Sequence, residues 1–166
     1  MPREVDRHAH RGKAAGVGSR APAAGPAAAG GAAPLHPRAG HRRPAYISGH
    51  GPQNSDGSIA GPFGKVGAEV TVEQGYQAAR LTALSMLGSL ARELGDLDRI
   101  TAWVRVLGMV NSAPGFASQP SVINGFSDLI LDLFGEAGAH ARSAVGMAEL
   151  PFNMPVEVEA EVQVAP

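Results

Sequence analysis

The stretch Val156-Glu157-Val158-Glu159-Ala160-Glu161-Val162-Gln163-Val164 sets the frame for the whole chain. Valine and alanine occupy every second position, with glutamate and glutamine between them. Successive strand side chains point to opposite faces, so a period of two predicts a β-strand with one buried and one polar face. A buried face needs a cover, and the cover has to come from upstream.

Two upstream segments have the period of a helix. From Thr71, where Thr71 and Gln74 match a capping box, Tyr76, Ala79, Ala83, Leu87, Leu90 and Leu94 recur at spacings of three and four. Gly95 is the expected stop. From near Ser118, with Pro120 in the first turn, Val122, Ile123, Phe126, Leu129, Ile130 and Leu133 form a second apolar stripe that Gly135 closes. Between them Ile100–Val110 is apolar at both parities, which predicts a central strand covered on both sides. His140–Val145 reads as a further strand, joined to the last one by Leu150-Pro151-Phe152-Asn153-Met154-Pro155. Ahead of the first helix, Ala45-Tyr46-Ile47 enters a Ser48-Gly49 turn, and Asp56-Gly57 signals a hairpin. The expected order is strand, strand, helix, strand, helix, strand, strand. That is an α+β fold, a mixed β-sheet with two helices packed on one face.

Charge divides the chain. Residues 1–45 carry eight Lys/Arg against two acids, whereas residues 46–166 carry six Lys/Arg against thirteen acids. The first part is dominated by Ala, Gly, Pro, Arg and His and has no aromatic residue. It cannot bury enough apolar area to offset the entropy of ordering, so it is expected to be a disordered leader. Translation of GC-rich DNA in a shifted frame would give the same composition. The folded domain is expected over residues 46–166. No apolar run reaches the length of a membrane span and no secretory h-region follows the first basic residues, so a cytoplasmic protein is expected. The acidic domain argues against nucleic acid as a partner. With no cysteine, and with four of six histidines in the leader, neither thiol chemistry nor a metal or other cofactor is expected. Gly61–Val66 is too short for a phosphate loop, and Val66 stands where a magnesium-binding hydroxyl would be. Trp103 and Tyr76 are expected in the core.

The run Ala141-Arg142-Ser143-Ala144-Val145-Gly146-Met147-Ala148-Glu149-Leu150-Pro151, continuing to Val156-Glu157-Val158-Glu159-Ala160, resembles the signature of the Rid/YjgF family. Tyr46-Ile47-Ser48-Gly49 with Pro52 resembles that family's early strand and turn, and Gly95–Ile100 its first helix-to-strand link. Asn124-Gly125 and Phe134-Gly135-Glu136-Ala137-Gly138 look like the branch named endoribonuclease L-PSP or chorismate-mutase-like. The resemblance implies a homotrimer, a barrel-like assembly with clefts between subunits, that binds a small carboxylate such as a keto acid or imine. In the deaminase branch, the arginine matching Arg142 grips the substrate carboxylate and the glutamate matching Glu157 lies beside the hydrolytic water. The serine matching Ser48 lines the cleft, as would His50, and the backbone of Ala144 would border the ligand. The reaction so implied is hydrolysis of an enamine or imine to a 2-keto acid and ammonia. A non-catalytic metabolite sensor on the same scaffold is the alternative, and ribonuclease activity a third reading. Ala144 stands where the deaminases usually have Cys and His50 where they have Gln. Nothing in residues 25–45 resembles the family's first strand. From the residues alone, Arg142 either forks onto a ligand carboxylate or pairs with Glu157 or Glu159.

Overall fold

The computed structural model describes residues 43–166. Its elements are β1 (Arg43–His50), α1 (Val72–Leu94), β2 (Ile100–Asn111), α2 (Gln119–Phe134), β3 (Ala141–Met147) and β4 (Val156–Val164). The strands form one mixed sheet in the order β1-β4-β2-β3. β4 runs antiparallel to both β1 and β2, and β3 lies parallel to β2 after the crossover through α2.

β4 keeps its expected alternation. Val156, Val158, Ala160, Val162 and Val164 are buried, and the residues between them are not. β2 contributes Trp103, Val106 and Val110 to the same buried face, because Val106 lies opposite Ala160 and Trp103 opposite Val162. α1 and α2 cover this face. Their buried residues include Ala79, Ala83, Met86 and Leu87 on α1 and Val122, Ile123, Phe126 and Ile130 on α2. Trp103 meets Phe126 and Phe134 edge-on, each with ring centroids 5.8 Å apart, a preferred aromatic geometry.

The helix ends follow their signals. Thr71 Oγ1 accepts from Gln74 N–H at 3.1 Å, and Gln74 Oε1 accepts from Thr71 N–H at 2.9 Å, a complete capping box. Gly95 ends α1, and Pro120 sits in the first turn of α2.

Four expectations differ from what is found. The Asp56-Gly57 segment makes a turn, with Asp56 Oδ1 accepting from Ser58 N–H at 2.9 Å, but only an isolated bridge, Gln53 to Ile59, flanks it. Too few apolar side chains lie on either side of this turn to pack a second strand. β1 starts at Arg43, so Arg43, Pro44 and Ala45 belong to the folded part and not to the leader; residues 1–42 lie outside the described residues. Leu133 is 58% exposed, because the buried stripe continues from Phe126 and Ile130 to Phe134, which packs on Trp103. β2 is covered on one side only. Leu107 and Met109 lie on its other face, away from both helices, and Val104 is exposed at a break in register.

α2 packs directly on the backbone of α1 where it carries Gly125. A Cβ there would run into the backbone carbonyl of Tyr76, which has no soft rotamer to yield. Gly125→Ala should therefore destabilise the fold by about 1–3 kcal/mol, through overpacking. Gly88→Ala, on an open part of α1, should stabilise it by about 0.5–1 kcal/mol. Urea denaturation of both variants checks the pair, and equal midpoints would contradict the helix-contact assignment.

Candidate functional site

Arg142 lies on β3 opposite Val106, on the helix side of the sheet, and its side chain reaches α2. Nη1 donates both of its hydrogens, to Asn124 Oδ1 at 2.9 Å and to Ser127 Oγ at 3.0 Å. Ser127 Oγ is 2.9 Å from His140 Nε2, and His140 Nδ1 is 2.6 Å from the carbonyl oxygen of Gly138. A carbonyl oxygen only accepts, so Nδ1 carries the imidazole proton and Nε2 accepts from the Ser127 hydroxyl. The order of donation is thus Arg142 to Ser127, Ser127 to His140, and His140 to Gly138. Partial burial, together with the charge of Arg142, lowers the pKa of His140. Asn124, Ser127, Asp128, Leu131, Ala139, His140 and Arg142 line one open cleft. At its rim Tyr76, half-buried and not in the core as expected, donates to Asp128 Oδ2 at 3.0 Å, a bond that raises the pKa of the phenol.

Glu157 stands elsewhere. It lies opposite Met109, between the buried Val156 and Val158, and so projects from the face away from the helices. Its carboxylate lies over the backbone of Gly49, where any Cβ would collide with it. The glycine of the Ser48-Gly49 turn is therefore the residue that admits Glu157. Partial burial first, and the charge of Glu159 second, raise the Glu157 pKa. Ser48 and Gly49 occupy a break in register between β1 and β4.

His50 turns to the helix side. Its Nδ1 is 2.8 Å from the Ser48 carbonyl oxygen, its Nε2 is 2.9 Å from Ser89 Oγ, and Ser89 Oγ accepts from Arg92 Nη2 at 2.9 Å. This is the Arg142 arrangement a second time, at the opposite edge of the sheet.

The expected site residues thus fall into two groups. Ser48 and Glu157 share the β1–β4 side, with His50 on the far face of β1. Arg142 and Ala144 sit on β3, three strand spacings from β1, which is roughly 14 Å. Among the described residues no carboxylate pairs with Arg142, so the alternative pairing with Glu157 or Glu159 is not made. Asn124, Ser127 and His140 were not anticipated. Ser127 and His140 each look unremarkable in sequence, and only the passage of α2 beside β3 joins them.

Other polar groups have structural duties. Lys65 donates to Asn111 Oδ1 at 2.9 Å and to the Ala148 carbonyl, and lies 3.6 Å from Glu149. The buried Asn111 donates to Asn153 Oδ1 and to the Met154 carbonyl, each at 3.2 Å. These bonds hold the Leu-Pro connection, in which Phe152 and Asn153 take left-handed φ values of 56° and 57°. The lysine of the rejected phosphate loop is therefore committed to holding this turn. Among the described residues no cluster of acids and histidines has the makings of a metal site, and no helix is long and apolar enough to cross a membrane.

A mixed four-stranded sheet with two helices on one face is the α+β architecture of the YjgF/chorismate-mutase-like class. Residues 47–160 match the family described as "YjgF/chorismate_mutase-like, putative endoribonuclease", and the chain belongs to that family. Protein TCP17 of Trypanosoma cruzi is 47% identical over 119 residues, 71% of this chain and 73% of its own. The crystal structure of Atu1372 from Agrobacterium tumefaciens, a protein of unknown function, is 45% identical with a TM-score of 0.70, covering 73% of this chain and 76% of that one. TdcF of E. coli, crystallised with bound serine, is 18% identical with a TM-score of 0.50, covering 79% of this chain and 85% of its own; this likeness extends to the fold alone.

The lowered pKa of His140 has a consequence for stability. Folding disfavours its protonated form, so its contribution is complete above the ordinary histidine value of about 6.5 and is lost as pH falls below it. An NMR titration of the His140 ring should give a midpoint below that of free histidine, and stability should fall between pH 7 and pH 5. A midpoint at or above the free value would contradict the burial of a neutral ring.

Proposed function

We propose that the chain binds small carboxylates, 2-keto acids or the imines that precede them, through Arg142 in a cleft completed by a second copy within a homotrimer. One observation carries the reading. Both Nη1 hydrogens are committed to α2, while among the described residues nothing accepts from Nε or Nη2. The Nε–Nη2 edge is a planar fork of two parallel donors, the shape that matches a carboxylate.

The separation of Arg142 from Glu157 supports assembly. A site that uses both needs Glu157 from a neighbouring copy, and the face carrying Leu107, Met109, Val145 and Met147 offers apolar surface for such a contact. With Glu157 orienting water against a bound imine, hydrolysis to a keto acid and ammonia needs little beyond positioning. The raised pKa of Glu157 suits a group that takes up a proton. The serine bound to TdcF belongs to that protein, but it too carries a carboxylate.

Binding without turnover is the second reading, favoured by Ala144 in place of the deaminase cysteine. Ammonia release from freshly generated 2-iminobutyrate decides between the two. Light scattering should return a trimer, and a monomer at micromolar concentration would defeat the assembly. Arg142→Ala should weaken 2-oxobutyrate binding by roughly ten- to a hundredfold, the loss of about 1.5–3 kcal/mol of charge-assisted hydrogen bonding. Arg142→Lys should recover only part of it, since an ammonium has no fork. Calorimetric titration that gave equal affinity for all three proteins would sink the binding assignment.

A further inference from the structure

We infer that Ser127 and His140 are positioning residues that aim the Arg142 fork, so that carboxylate affinity is set by a relay running from Gly138 through the imidazole and the hydroxyl to the guanidinium. This rests on the carboxylate-binding reading of the same cleft.

A guanidinium offers two bidentate edges, and the end-on edge uses one hydrogen of each terminal nitrogen. With both Nη1 hydrogens engaged by Asn124 and Ser127, the end-on edge is closed and the side-on Nε–Nη2 edge is what remains. An arginine that owed nothing to its neighbours would sample both edges and many rotamers, and ordering it would cost binding free energy. Here the ordering is complete before a ligand arrives.

The relay has one direction only. Gly138 lies two residues before His140, at the end of the 3-10 turn Gly135–Gly138, and its carbonyl forces the proton onto Nδ1. Nε2 is then an acceptor, which forces the Ser127 hydroxyl to donate to it. Only the lone pairs of Ser127 Oγ remain, and they face Arg142 Nη1. If His140 also carried a proton on Nε2, the Ser127 hydroxyl could no longer donate to the ring and a second cation would stand beside Arg142. The cluster is built around a neutral ring, in agreement with its burial. The other charged groups about it are Asp128 on α2, engaged by Tyr76, and the exposed Glu136 on the 3-10 turn.

Ser127 and His140 at 2.9 Å also have the spacing of a nucleophile and its base. Ser127 is only 7% exposed, however, and its oxygen is occupied by Arg142. That leaves it no approach to a substrate carbon and favours positioning.

The test is a double-mutant cycle with 2-oxobutyrate as the probe, read by calorimetry on the full chain. Ser127→Ala, a change that suits a helix interior, should preserve the oligomer and weaken binding roughly five- to tenfold, the order of the cost of ordering one long side chain. In an Arg142→Ala background it should weaken binding no further, because the only target of the positioning is gone. A loss from Ser127→Ala of the same size in both backgrounds overturns the relay and makes Ser127 a packing residue. Wild-type affinity in Ser127→Ala alongside weak binding in Arg142→Ala overturns the relay and leaves the carboxylate site standing. Wild-type affinity in Arg142→Ala overturns both. Nitrogen-15 spectra of the unaltered protein supply an independent reading: at pH 7 the His140 ring should be neutral with its proton on Nδ1, and its Nε2 resonance should move in Ser127→Ala. A proton on Nε2 would overturn the relay outright.

Discussion

The antiparallel pairing of β4 with β2 is the contact on which everything else rests. It aligns Val156, Val158, Ala160 and Val162 with Val110, Gly108, Val106 and Trp103, which makes one apolar face wide enough for two helices to lie side by side. Burying that face supplies the main driving force, at roughly 25 cal/mol per Å² of apolar surface removed from water. The helices must then lie close to the sheet and to each other. Small residues at the crossings allow this: a Cβ on Gly108 would stand 2.6 Å from Ile123, and one on Gly75 3.1 Å from Val122.

The arginine cleft follows from that packing. α2 starts beyond β2, runs back over the sheet and delivers the chain to β3 as a parallel neighbour, so the middle of α2 lies beside the first residues of β3. Asn124 and Ser127, three apart on one helix face, are brought against Arg142 near the start of β3 and His140 just before it. The helical and strand periods meet at this edge, and the cluster is their intersection.

The opposite edge has a parallel design. His50 on β1 meets Ser89 and Arg92 on α1 in the same order of donation, with a carbonyl two residues upstream fixing the ring. At both edges a serine on a helix links an arginine to a histidine at the end of a strand or next to it. At the β1 edge the arginine comes from the helix, and at the β3 edge from the strand, so only Arg142 has its free fork set by a partner on another element.

What the sequence by itself determined is whatever depends on short-range periodicity. The alternation in Val156–Val164, the stripes of α1 and α2, the capping box at Thr71 and the glycine stop at Gly95 are local, and each was legible for that reason. The family motif around Arg142 and Glu157 was legible too, as a pattern of residue types. Tertiary structure alone decided which side of the sheet each residue faces relative to residues far away in sequence. Parity along β4 separates Glu157 from the valines, but nothing local sets Arg142 on the helix side three strand spacings from β1, or places Ser127 against His140. Those depend on the strand order β1-β4-β2-β3 and on the hand of the α2 crossover. The Asp56-Gly57 turn, too, lacked a second strand because a turn signal sets only a local bend, whereas a strand needs a packed neighbour to be worth its entropy.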